Sequence, residues 1–188
     1  MTSRPLLVLV TGLPCTGKTG VAARLSSELA LPMLAKDDIK EALFDALGYG
    51  GRERSLELSG AAYAILYRQV RRLLSAGLSL IAESNFDPDK AAEQLAAIRS
   101  DLPFDLFQIQ CHAPGPVLVE RFRQRMERGR HPGHADRELF AEIRPGLERG
   151  RMGLLDFDGD ILEVDTTDFS AVDHELPAAE VRRALEAR

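Results

Sequence analysis

A strand-like apolar run that breaks into glycine and resumes as a helix is the feature that most constrains this chain. Leu6-Leu7-Val8-Leu9-Val10 is short, continuous and β-forming, as suits a strand buried on both faces of a parallel sheet. Gly12-Leu13-Pro14-Cys15-Thr16-Gly17-Lys18-Thr19 follows it, fitting Gly-x-x-x-x-Gly-Lys-Ser/Thr, and then Val21, Ala22, Leu25 and Leu29 recur at helical spacing. The loop therefore joins a strand's carboxyl end to a helix's amino end, where unpaired N–H groups and the macrodipole favour an anion. Gly12 and Gly17 let the main chain wrap phosphates closely, so the whole segment from Gly12 through Gly20 is the candidate phosphate cradle. Lys18 can reach the β- and γ-phosphate oxygens as a point charge, and the Thr19 hydroxyl can join the coordination shell of Mg²⁺. Four fixed positions agree by accident in under about 1% of chains this long, so chance is discounted.

A chain of 188 residues, 45% hydrophobic and 28% charged, is expected to form one soluble domain over residues 1–188. Its formal net charge of −5 offers no electrostatic footprint for duplex nucleic acid or an anionic membrane. Nucleic acid is thus a disfavoured partner unless a local basic patch overrules the total. No apolar stretch approaches the roughly 20 residues needed to span a bilayer. The amino-terminal apolar run is too short for a signal peptide, and a reducing cytoplasm is expected. Cys15 and Cys111 have neither metal-site nor disulfide spacing. Cys15, at a helix foot, reads either as a thiol of lowered pKa or, preferably, as a small residue tolerated in a loop.

Pro32 to Ala35 reads as a second strand, with a helix starting at Lys36-Asp37-Asp38. Gly48-Tyr49-Gly50-Gly51 is a break before a long helix from about Ser55 to Ala76, closed by Gly77. Leu78 to Ala82 is a third strand, left through Glu83-Ser84-Asn85-Phe86-Asp87-Pro88, and Phe104 to Gln110 is a fourth. A helix from Pro116 to Arg128 stops at Gly129, and another runs from Asp136 until Pro145-Gly146. Asp160 to Asp165 is a fifth strand, and Leu176 to Arg188 a terminal helix. Strands alternating with helices predict a three-layer α/β domain with a parallel sheet.

In such sheets ligands lie beyond the carboxyl ends of the strands. Asp37 and Asp38, Glu83, Ser84 and Asn85, His112, and Asp165-Thr166-Thr167 occupy those ends. Arg121, Arg125 and Arg128 share a helical face, with Arg130 just beyond. Gly129, Pro132 and Gly133 around them favour a lid over about 126–136 that swings arginine onto phosphates; a solvated basic stripe is the alternative. His131 and His134 read as lid or acceptor contacts rather than a metal cage, and His112 as a satisfied strand-end histidine. Tyr63 and Tyr67 read as helix packing, or else as an acceptor-pocket wall.

Lys36-Asp37-Asp38-Ile39-Lys40, Ile81-Ala82-Glu83-Ser84-Asn85-Phe86 and Glu120-Arg121-Phe122-Arg123-Gln124-Arg125 resemble the small P-loop kinases of the AAA_33 and zeta-toxin-like group. Polynucleotide 5′-kinase domains, gluconate kinases and chloramphenicol phosphotransferases belong to the same circle. The resemblance spans about residues 6–168. It implies a three-layer α/β/α P-loop NTPase fold of sheet order 2-3-1-4-5, using ATP and Mg²⁺ to phosphorylate a hydroxyl of a small-molecule acceptor. It implies catalytic roles for Lys18, Asp37, Arg125 and Arg130, with Asp38 the competing base. Nucleotide contacts would add Arg121, Arg125, Asp165 and Thr167 to the glycine-rich segment, with Thr19 on the metal. Acceptor contacts would come from Asp37, Lys40, Glu83 and Asn85, Glu83 serving alternatively behind the metal. Lys40 stands where the group usually has arginine and lacks its planar fork. Competing readings are a polynucleotide 5′-hydroxyl kinase, a zeta-type nucleotide-sugar kinase toxin, and a non-catalytic ATP-binding switch.

Overall fold

The computed structural model describes residues 4–188. Strand β1 (Leu6–Gly12) is buried along its length and divides its side chains between two apolar clusters, Leu7 and Leu9 on one face, Leu6, Val8 and Val10 on the other. Such a strand needs a helical layer on each side. Five strands line up in parallel as β2 (Met33–Ala35), β3 (Leu80–Glu83), β1, β4 (Asp105–His112) and β5 (Asp160–Asp165), the order the resemblance implies. Helices α1 (Lys18–Leu29) and α7 (Glu175–Glu186) cover one face through Val21, Leu25 and Val181. Helices α3 (Gly51–Ser75) and α4 (Pro88–Arg99) cover the other through Leu66, Val70, Leu95 and Ile98. Helix α2 (Lys36–Leu47) leaves the end of β2, while α5 (Gly115–Arg128) and α6 (Asp136–Glu148) build a third cluster around Leu118, Phe122 and Leu147. Among the described residues, no helix is long and apolar enough to cross a membrane.

Several boundaries differ from the sequence reading, each for a tertiary reason. Helix α3 begins at Gly51 rather than near Ser55, because the Arg52 amide donates to Glu138 Oε2 at 2.8 Å and the Arg52 guanidinium grips Glu142 at 2.9 and 2.8 Å. Its far end closes as expected, with Gly77 at φ 74 and the Leu78 and Gly77 amides donating to Leu73 and Leu74 at 3.0 and 2.9 Å. Helix α6 passes through Pro145 and ends at Glu148, since Leu147 beyond it is fully buried and its packing outweighs the one hydrogen bond that proline removes. Strand β3 occupies Leu80–Glu83, not Leu78 to Ala82, which puts Glu83 inside the sheet between Val10 and Ala35. Buried Gln108 and Gln110 of β4 hold the segment before β5, donating to the Leu155 and Met152 carbonyls at 3.2 and 2.7 Å.

Candidate active site

The loop between β1 and α1 is held open by its own backbone. Cys15 and Gly17 sit at φ 69 and 75, and buried Thr16 ties the turn by donating its N–H and hydroxyl to the Leu13 carbonyl at 3.3 and 2.9 Å. Gly17 is the N-cap of α1 and makes no side-chain cap; the Gly20 amide donates to the Gly17 carbonyl at 3.0 Å, which leaves the Lys18 and Thr19 amides at the helix start for a ligand. Gly12 lies at φ 150, and a Cβ there would stand 2.4 Å from the Cys111 carbonyl oxygen. Gly12→Ala is therefore expected to cost about 1–3 kcal/mol, seen as a lower thermal unfolding midpoint; an unchanged midpoint would show that the loop accepts a side chain. Burial raises the Cys15 thiol pKa despite Arg125 and Lys18 nearby, so the thiol is not activated. Cys111 is buried and pushed up to about 12.

Under the loop, Lys18 Nζ lies 3.8 Å from Glu83 Oε1, and the Glu83 carboxylate is 4% exposed. Burial raises the Glu83 pKa, while Lys18 and the Thr19 hydroxyl restrain it. Glu83 thus stands behind Lys18 and Thr19 and does not line the adjoining cavity of about 210 Å³, whereas Asp37, Lys40 and Asn85 do.

Asp37, in the first turn of α2, meets two cations. Its Oδ1 accepts from Lys36 at 3.1 Å and its Oδ2 from Arg130 at 3.0 Å. Burial alone would raise its pKa, but Lys36 and Arg130 hold the carboxyl well below the usual carboxylate range. Asp38 is exposed, lines neither cavity, and has a pKa raised by partial burial and by Glu41 and Asp37. Arg130 also makes a two-pronged contact with Asp136, Nε and Nη2 each at 3.0 Å, and Arg125 Nε reaches the same carboxylate at 3.0 Å. The single hydrogen bond across 93 residues, from Arg130 Nη1 to Asp37 Oδ2, has no local sequence signal.

Arg121 takes a different posture from its helix neighbours. It donates to the carbonyls of Cys15, Thr166 and Thr167 at 3.4, 2.8 and 3.0 Å, and its guanidinium lies 3.6 Å above the Phe169 ring. It therefore stitches the glycine-rich loop to the segment after β5. Asp165 is turned toward that segment, accepting from the Thr167 amide at 2.8 Å, and neither Asp165 nor Thr167 lines a cavity. The His112 carbonyl accepts from the Thr166 amide and hydroxyl.

Residues 130–134, part of the stretch of about 126–136 expected as a swinging lid, are docked on α2. His131 stacks on Phe44 with ring centroids 5.2 Å apart, and a Cβ on Gly133 would lie 2.4 Å from the same ring. His131 Nε2 is 3.1 Å from Asp45, and His134 Nε2 is 2.7 Å from Glu41. Among the described residues no group of three or more His, Cys, Asp or Glu side chains is arranged for a metal ion. The two histidines are docking contacts. Tyr63 packs beside Tyr67, but its hydroxyl also donates to the Asn85 carbonyl at 3.0 Å and Lys36 Nζ lies 5.4 Å from its ring centre. It braces the cavity wall from behind.

Two cavities meet at Asp37. The larger, about 430 Å³, carries Lys18, Arg121, Arg125, Arg128 and Arg130 against the single carboxylate Asp37, with Thr19 at its edge. That charge balance, over helix-start amides and a glycine cradle, fits the phosphates of a nucleotide. The smaller, about 210 Å³, lies between α2, α3 and α6 and includes Lys36, Lys40, Ser55 and Asn85. Lys18, Asp37, Arg125 and Arg130 line both.

Residues 7–149 match the AAA_33 family, described as an AAA domain. A protein from Chloroflexus aurantiacus, itself assigned as a kinase only provisionally, is 40% identical over 96% of this chain and 98% of its own, with a TM-score of 0.91. The APS kinase CysC of Mycobacterium tuberculosis, solved with AMPPNP and APS, is 19% identical over 97% and 98% of the two chains, with a TM-score of 0.59. A sugar kinase from a Janibacter species is 15% identical over 98% and 95%, with a TM-score of 0.55. These last two show a shared fold. No curated protein matches the chain. Fold and likeness together support a general kinase role with nucleotide binding, and with the match covering most of its length, the chain belongs to the AAA_33 family.

Proposed function

We propose that the protein is an ATP-dependent kinase that transfers the γ-phosphoryl group to a hydroxyl of a small-molecule acceptor. The observation that carries this reading is the wall shared by the two cavities, where Lys18, Asp37, Arg125 and Arg130 face a phosphate side and an acceptor side at once. Phosphoryl transfer asks for positioning and charge neutralisation more than covalent chemistry. Lys18, Arg125 and Arg130 neutralise charge on the moving group's oxygens. Asp37 accepts a hydrogen bond from the acceptor hydroxyl, fixes its approach, and takes the proton as the new oxygen–phosphorus bond forms. Because Lys36 and Arg130 keep that carboxylate ionised, it is ready to accept before the acceptor arrives. Thr19 would hold Mg²⁺ with Glu83 behind it, and the ion would supply further neutralisation of phosphate charge. Residues 129–135 cover the junction and exclude water. The APS kinase neighbour, which shares the fold, was solved with AMPPNP and APS together, and that supports a nucleotide and a second ligand on such a fold.

The test begins with calorimetry of Mg·ATP uptake. Incubation with sugars, sugar acids, nucleosides and 5′-hydroxyl oligonucleotides follows, with products weighed by mass spectrometry. One acceptor should gain a single phosphoryl group with matching ADP release. Nucleotide uptake without turnover on any acceptor would make the protein a switch, and turnover on oligonucleotides alone would make it a polynucleotide kinase.

A further inference from the structure

The smaller cavity contains a cation with no counter-ion. Lys18 faces Glu83, Lys36 faces Asp37, Arg52 faces Glu142, and Arg125 and Arg130 face Asp136. Lys40 has no carboxylate within 4.0 Å among the described residues, although it is only 5% exposed. Its ammonium donates to Ser55 Oγ at 2.8 Å, a neutral and almost fully buried hydroxyl that itself donates to the His134 carbonyl at 3.4 Å. The Phe44 ring centre lies 5.3 Å from it. An ammonium carries three donors, so most of its hydrogen-bonding capacity is unspent. Burial and the neighbouring Lys36 push its pKa down to about 8, with Arg130 and Arg52 adding to the effect and Asp37 opposing it.

A buried charge without a partner is costly, and an apolar side chain of similar volume would be more stable there. Such a residue makes physical sense when the missing charge arrives with a ligand. Ser55, beside the ammonium, and Ser59, one turn further along α3, line the same cavity and bring hydroxyls to it. The chamber is small, about 210 Å³, and lies under the docked segment that carries His134.

Taking the kinase reading as its basis, we infer that the acceptor is itself an anion, carrying a phosphate, sulfate or carboxylate that lodges against Lys40, Ser55 and Ser59 while its hydroxyl faces Asp37. The anion completes the ion pair that the protein leaves open. A neutral acceptor leaves Lys40 buried and uncompensated, and is phosphorylated poorly.

The test loads the protein with Mg·AMPPNP, whose uptake is measured first, and then titrates sulfate, inorganic phosphate and acetate in separate arms. The expected result is saturable binding of one anion per loaded protein, the preferred arm identifying the acceptor's charged group. Lys40→Met should weaken that binding by about tenfold or more, while Lys40→Arg retains it. Lys40→Met should also raise the thermal unfolding midpoint, which a purely structural lysine would not do. Absence of saturable anion binding to the loaded protein, equal binding by wild type and Lys40→Met, or a lowered midpoint with binding intact would each overturn the inference while leaving the nucleotide site standing. Failure of folded protein to take up Mg·AMPPNP would instead remove the kinase reading, and this inference with it.

Discussion

Lys18→Ala is expected to slow phosphoryl transfer by about 10²–10³-fold with the fold retained. Lys18 lines both cavities, so in the proposed reaction its ammonium would stand where charge moves from nucleotide to acceptor. Steady-state turnover with an identified acceptor is the direct measurement, and wild-type-like rates would remove Lys18 from the mechanism. The same substitution has a second, independent signature in stability. Glu83 is buried, and Lys18 is the nearest cation restraining a pKa that burial already raises. Without it the folded-state pKa rises further above the unfolded value. An acid shifted in that direction costs no stability while both states are protonated, and costs progressively more as pH climbs through the raised value. The gap in unfolding midpoint between wild type and Lys18→Ala should therefore widen from pH 5 to pH 8.

Asp37→Asn is expected to lower maximal turnover by about 10²–10⁴-fold while changing nucleotide affinity only a few-fold. The amide keeps the shape of the carboxylate but cannot take the acceptor's proton, and it leaves Lys36 and Arg130 facing a neutral group. An unchanged maximal rate would transfer the role to Asp38 or elsewhere. The linkage here has the opposite sign to that of Glu83. The folded-state pKa of Asp37 is depressed, so its contribution to stability is fully present above the ordinary carboxylate range and disappears as pH falls toward the depressed value. The midpoint gap between wild type and Asp37→Asn should close on acidification.

The parts legible in the sequence are those whose causes are local. The apolar run of β1, the glycine-rich loop and the helix after it announce one another within a short stretch, and the Gly77 helix stop behaves as its residue type demands. Asp37 rather than Asp38 lines the cavities, a difference that two adjacent aspartates do not reveal in the sequence. What stayed hidden depends on partners far along the chain. Nothing near Gly51 says that Glu138 will cap α3, and nothing near Lys40 says that its charge will be buried without a carboxylate. The stripe of arginines also looked uniform, since helical spacing cannot tell that Arg121 spends its donors on carbonyls while Arg125 turns to Asp136. Glu83 was mislocated by one strand register, because alternation alone does not mark the last residue of a strand buried on both faces.

The grip of Arg130 on Asp37 ties admission to readiness. Arg130 rides on the segment clasped to α2 through Phe44, His131 and His134, and Asp37 belongs to α2 itself. In the proposed kinase, lifting that segment to let an acceptor pass would pull the guanidinium off the carboxylate, so the chamber would be disarmed whenever it is ajar. Shutting it would restore both contacts in one motion, and stray water entering through the gap would meet a machine taken apart.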